Sequence, residues 1–224
     1  MNIDIKGEIE VIKRIIKLIS GVTLSSFAIT CVLKSNLGAF ATTAANVTIG
    51  NWLHISIGTA GFLVELIILA LVIYLKEGLS ITAIVNMTYG SYMIDVFNKI
   101  LPTSPFMVFG LLFIGFGWAL SAQAGLGDTN NNLLMNGLLK KTGKSIGMIR
   151  GIQECSYMII GLLGSNQVTL FTVILSLFLG YLLQFEYKLI KYDPTKIKHS
   201  YLIKAKGKSR NEVEELAISK ESKE

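Results

Sequence analysis

Charged residues are scarce in this chain. They make up 16% of its 224 positions, against about 25% in an average soluble domain. Histidine and cysteine occur twice each and proline three times. His54 and His199 lie far apart without metal-ligand company, one at a loop edge and the other near the C-terminus, so no histidine metal centre is expected. Cys31 and Cys155 each sit in an apolar run. Two isolated cysteines form neither a disulfide framework nor a zinc site, and they read as small buried hydrophobes. No Walker loop, nucleophile elbow, zinc motif or dinucleotide fingerprint is present. The chain is therefore expected to be no enzyme and to carry no cofactor. Acidic residues are fewer than basic ones, which leaves a net charge of +6. The basic residues gather at the chain ends and in one central cluster, KKTGK (140–144). Basic residues flanking apolar segments mark cytoplasmic loops, so nucleic acid is not expected as a partner.

What the chain has in quantity is apolar length. It is 51% hydrophobic, with a mean hydropathy of +0.55, and this balance points to the lipid bilayer as its surroundings. About 20 apolar residues are needed to cross the hydrocarbon core. Six windows meet that length, near 15–33, 55–75, 79–98, 105–122, 146–164 and 167–187. Two further segments, 37–53 and 126–139, are too short or too polar to span, yet too rich in helix-period apolar residues to be plain loops. The N-terminal stretch mixes acids and bases and lacks a small-residue cleavage site. Residues 1–14 read as an amphipathic cytoplasmic lead-in and 191–224 as a charged cytoplasmic tail.

Between them the chain repeats itself. Slid by 89 positions without a gap, Gly21 meets Gly110, Phe27 meets Phe116, and Leu37-Gly38 meet Leu126-Gly127. Ser56-Ile57-Gly58 meet Ser145-Ile146-Gly147, Glu65 meets Glu154, and Tyr92 meets Tyr181. The first membrane repeat covers 15–100 and the second 105–190. Each reads as a span, a short helix led by Leu-Gly, and two more spans. The lysines place both termini and KKTGK in the cytoplasm. If the short helices dip in and return, each half has three spans and the halves are inverted, as in many secondary transporters. If they cross, there are eight spans and the halves are parallel. An aspartate and several asparagines facing lipid would be costly, which favours six. The expected fold is all-α: a polytopic helix bundle of six spans and two half-helices in two inverted repeats.

The segment AGLGDTNNNLLMNGLLKKTGKSIGMIRGIQE (124–154) resembles the second-half signature of the YczE/YyaS/YitT family of bacterial integral membrane proteins. That signature has a Gly-Leu-Gly, a polar stretch, Leu-Met, a basic pair, Thr-Gly, a Gly-x-x-Arg step and a glutamate. GLSITAIVNMTYGSYMID (78–95) is similar to the family's first-half closing segment at Thr82, Asn86, Gly90 and Asp95. The chain departs from the family at Ala39-Phe40-Ala41, where Pro-Trp-Asp is frequent, and at 128–131, where Gly-Pro-Arg-Asp is frequent. The resemblance implies a bacterial cell-membrane location and a fold, but no specific activity.

The candidate site follows from polar residues in apolar settings. Gly125 and Gly127 permit a tight turn. Asp128 or Thr129 is placed to cap a helix whose first turns carry Asn130, Asn131 and Asn132, with Asn136 further along. Arg150 and Glu154, at i,i+4, share a helix face and can pair. Glu65 stands in GFLVELIILALVI with no basic residue within a turn, so it is either neutralised by a proton or partnered from another helix. It is the residue expected to couple protons or cations. Asn86 joins Thr82 and Tyr89 in a polar stripe, while Asp95 reads as a solvated helix end. An acid at a positive helix end disfavours a small anion, so the ligand class expected is polar or cationic. The function these features favour is a small transporter or permease with a polar cavity at the repeat interface. The alternatives are a non-transporting scaffold or accessory protein, and a ligand-binding subunit resembling the vitamin-binding components of energy-coupled importers. A homo-oligomer is compatible with each.

Overall fold

The computed structural model describes residues 5–144 and 146–177. The ends of the N-terminal lead-in and of the last apolar window, the Tyr92/Tyr181 match, His199 and the charged tail lie outside that range in whole or in part. The described chain is an all-α bundle with no β-strand. Helix α1 runs Ile5–Lys34, α2 Ala41–Leu53 and α3 Ile57–Tyr74. Next come α4, Ile81–Val85, a π-turn at Asn86–Gly90 and α5, Ser91–Ile100, in one continuous rod. A 3₁₀ segment, Pro105–Phe113, leads into α6, Ile114–Ala122; α7 is Asn130–Thr142 and α8 Ile146–Gly164. A further helix begins at 170.

Three helical stretches are long and apolar enough to cross a bilayer: Glu10–Lys34, Ile57–Tyr74 and Pro105–Ala122. Their outward faces carry large apolar side chains, with Ile67, Ile73 and Phe106 all more than half exposed. A water-facing surface does not carry so continuous an apolar cover. The chain is a membrane protein. Helices α2 and α7 have 13 residues each, about 20 Å at 1.5 Å per residue, too short for a core of roughly 30 Å.

The duplication is present in the backbone. Helices α2 and α7 begin at Ala41 and Asn130, α3 and α8 at Ile57 and Ile146, and α4 and the last helix at 81 and 170, each pair 89 apart. Left-handed backbone recurs at the same offset. Asn36 matches Gly125, Gly38 matches Gly127, and the helix-ending His54 matches Gly143, all with φ between 53° and 139°. Glycine meets that conformation without a Cβ clash.

The halves meet along a seam of small residues. A Cβ on Gly21 would lie 2.7 Å from the Gly117 carbonyl oxygen, one on Gly117 2.6 Å from the Ser25 nitrogen, and one on Gly110 3.2 Å from the Ala28 carbonyl oxygen. Moving up α1 from 21 to 28 therefore moves down the second half from 117 to 110, so the two first helices are antiparallel. The contacts are also reciprocal, because Gly110 is the repeat mate of Gly21 and Gly117 that of Ala28. The 3₁₀ winding of 105–113 is longer than such helices usually run, and it carries Gly110 against Cys31, whose Sγ would be 3.3 Å from a Cβ there.

Reciprocity extends outward from the seam. The Ser80 hydroxyl donates to the Asp128 carbonyl, and the Leu126 carbonyl accepts from the Thr82 N–H at 3.3 Å. In the other half, the Thr169 hydroxyl donates to the Leu37 carbonyl at 2.6 Å, and Ala39 N–H donates to Gln167 O at 3.0 Å. Each half's last helix thus begins by clasping the other half's Leu-Gly loop.

Asp95 departs from the expectation of a solvated helix end. Its Oδ1 accepts from the Gly58 N–H at 2.7 Å and its Oδ2 from the Ser56 hydroxyl. The carboxylate therefore satisfies the start of α3 from a neighbouring helix, where the positive end of the dipole favours an anion. Asp95→Ala is expected to cost about 1–2 kcal/mol, read as a lower melting temperature in detergent, with Asp95→Asn recovering part of the loss.

Candidate functional site

Between the halves lies a cavity of about 410 Å³ whose wall takes residues from both repeats. Both half-helices start at it: Phe40, Thr42 and Thr43 come from the first turn of α2 and its cap, and Gly127, Asp128 and Thr129 from the lead-in to α7. The π-turn contributes Asn86 and Gly90. A π-turn leaves a main-chain group out of the regular ladder, and here the Gly90 carbonyl accepts from the Ser26 hydroxyl of α1 at 3.2 Å.

At the centre is Glu65 of α3. Its Oε2 accepts from Asn130 Nδ2 at 2.8 Å and its Oε1 from Asn131 Nδ2 at 3.0 Å. Asn131 is itself oriented from α8, because the Tyr157 hydroxyl donates to its Oδ1 at 2.7 Å. Gln153 Nε2 approaches the Asn131 carbonyl at 3.5 Å. Three helices are thus tied through one carboxylate, and the lone acid of an apolar span is partnered by amides from another helix. Around it, Asn132 Nδ2 donates to Asp128 Oδ1 at 3.3 Å, and Arg150 pairs with Glu154 at 3.2 Å on α8.

Of the candidates read from the sequence, Glu65, Asn86, Asp128, Asn131, Asn132, Arg150 and Glu154 line the cavity. Asn130 and Asn136 do not. Asn130 is buried behind Glu65, and Asn136 is buried on α7 away from the wall. Thr129 takes the N-cap position of α7, but its side chain makes no cap hydrogen bond. In the polar stripe, Thr82 and Asn86 reach the wall while Tyr89 turns to Thr23 at 2.9 Å.

The sequence reading missed Thr42, Thr43, Gln153 and Tyr157, all in the wall. Two signals pointed to them. Thr42 and Thr43 are the repeat mates of Asn131 and Asn132, and Gln153 and Tyr157 fall at helical spacing from Arg150 and Glu154 on one face of α8.

Outside the cavity, Lys140 Nζ of α7 meets Glu77 Oε2 at 2.8 Å, and the Glu77 side chain is only 5% exposed. Removing one partner of a buried pair strands the other. Lys140→Met is expected to destabilise by about 3 kcal/mol. The double change with Glu77→Leu should regain most of that in a thermal melt; a double mutant no better than the single would show that the pair is not the cause.

Two stretches of the chain, 12–108 and 103–205, match the protein family described as "Family of unknown function (DUF6198)". The chain belongs to this family. The matched stretches divide near 103–108, where the structural repeat also divides. A relative named "Uncharacterized protein" from Haemophilus influenzae is 29% identical over 170 residues, covering 73% of this chain and 78% of its own length. No solved structure matches.

Proposed function

We propose that this chain is a small permease of a bacterial cell membrane, binding a polar or cationic solute in the cavity between its two halves. The observation that carries the reading is the enclosure of that cavity by antiparallel copies of one unit. Two halves related in this way can rock about a shared seam, opening the site to one face and then the other. The small-residue seam supports such movement, since the two first helices meet there backbone to backbone at Gly21, Gly110 and Gly117. In this reading the chain has six spans and two half-helices, with both termini in the cytoplasm. No reaction on its own side chains is part of the proposal.

The test needs no knowledge of the solute. In a background with Cys31 and Cys155 replaced by serine, Thr42→Cys on α2 and Asn132→Cys on α7 are each challenged with a membrane-impermeant thiol reagent. Intact cells and inverted vesicles present the two faces. A permease should be labelled from both faces at each position. Labelling from one face alone, in every condition, would overturn the reading and favour a scaffold or a ligand-binding subunit.

A further inference from the structure

The chemistry of the cavity wall narrows what it would hold. Its charged side chains are Glu65, Asp128 and Glu154 against Arg150, and no lysine reaches it. Arg150 is committed to Glu154 at 3.2 Å. Glu65 takes its hydrogen bonds from two neutral amides, with no cationic side chain paired to it among the described residues.

Three further polar atoms of wall residues are buried without a partner, and Asn46 Oδ1 of α2 is one of them. Gln153 is 8% exposed and its Oε1 is unsatisfied. Its nitrogen faces the Asn131 carbonyl, which can only accept, so oxygen is the end left over. Thr82 is 3% exposed and its hydroxyl is likewise unmet. A buried acceptor without a donor is unfavourable, and these groups line an opening large enough for a small organic molecule. The wall also holds the apolar Ile29, Phe40 and Trp118.

Resting on the permease reading, we infer that the solute is an amphipathic primary amine: an ammonium head with N–H donors for Glu65 and Gln153, on a short apolar body. The ammonium supplies the charge that Glu65 lacks from its neighbours and the donors that the wall lacks. The aromatic rings receive the body. A quaternary ammonium has the charge without the N–H groups, and an alcohol has a donor without the charge. Both should bind more weakly, and an anion should bind weakest.

The full-length protein in lipid nanodiscs is titrated calorimetrically with phenethylamine, phenethyl alcohol, trimethylphenethylammonium and hydrocinnamate, which share a body and differ at the head. Phenethylamine is expected to bind about 10- to 100-fold tighter than the alcohol, and Glu65→Gln to remove that preference. Equal binding of amine and alcohol, a preference for hydrocinnamate, or an amine preference that survives Glu65→Gln would overturn the assignment. Flux of phenethylamine into proteoliposomes is measured in parallel. Binding without flux would sink the permease reading and leave the ligand class standing. Two-face labelling with no amine preference would do the reverse.

Discussion

Gly117→Leu is expected to leave no folded protein. A Cβ at that position would stand 2.6 Å from the Ser25 nitrogen and 3.0 Å from both the Gly21 carbonyl oxygen and Ser25 Cα. All three are backbone atoms, so no rotamer change makes room, and α1 must move away from α6. That movement also opens the reciprocal contact at Gly21, which sits against Ser121 and Gly117. Overpacking in a core costs about 1–3 kcal/mol where side chains can yield. Here they cannot, and folded proteins have only about 5–15 kcal/mol to lose. The expected result is loss of the monodisperse peak in size-exclusion chromatography. Gly147→Ala and Gly151→Ala are the controls, since a Cβ at either meets nothing within 4 Å. Gly151 lies inside α8, where alanine should raise stability by about 0.5–1 kcal/mol, and Gly147 lies in its first turn, where alanine should leave the melting temperature unchanged. A monodisperse Gly117→Leu protein with the wild-type melting temperature would contradict the seam.

Glu65 separates stability from function by the choice of replacement. Glu65→Leu removes both acceptors and strands the side-chain N–H groups of Asn130 and Asn131. At about 1–3 kcal/mol for each unsatisfied donor, the loss should lower the melting temperature strongly. Glu65→Gln offers one oxygen and one NH₂. The oxygen serves Asn131, whose orientation Tyr157 fixes. The NH₂ is accommodated if the Asn130 amide turns over, because Asn130 Oδ1 has no partner in the wild type. Glu65→Gln is therefore expected to melt within about 1 kcal/mol of wild type while solute flux falls to background. If Gln melts as poorly as Leu, the carboxylate serves structure first. If Gln keeps full flux, the charge has no part in transport.

Much of this architecture was legible because it rests on local pattern. Apolar length marked the helices, the Leu-Gly turns marked the starts of both half-helices, and the gapless 89-residue offset is the offset of the backbone itself. Glu65 stood out because nothing near it in sequence could neutralise it. What escaped notice depends on partners far away in the chain. Asp95 looked like an ordinary helix end until Gly58 and Ser56 of another helix were seen to use it. The π-turn at Asn86–Gly90 has no apolar-period signature, and neither has the 3₁₀ winding before α6 that sets Gly110 against Cys31. Asn136 carries the same side chain as its neighbours on α7, but helical rotation turns it away from the cavity.

The antiparallel seam has a consequence for how the chain enters the membrane. A unit that binds its own copy upside down offers the insertion machinery no intrinsic preference for either orientation. Something outside the repeated pattern has to break the tie. Lys140, Lys141 and Lys144 stand where the first half has Asn51, Trp52 and Ile55, so this cationic cluster exists in only one copy. Cationic clusters hold their end of a segment on the cytoplasmic side. With them neutralised, only the basic C-terminal end would be left to orient the second half.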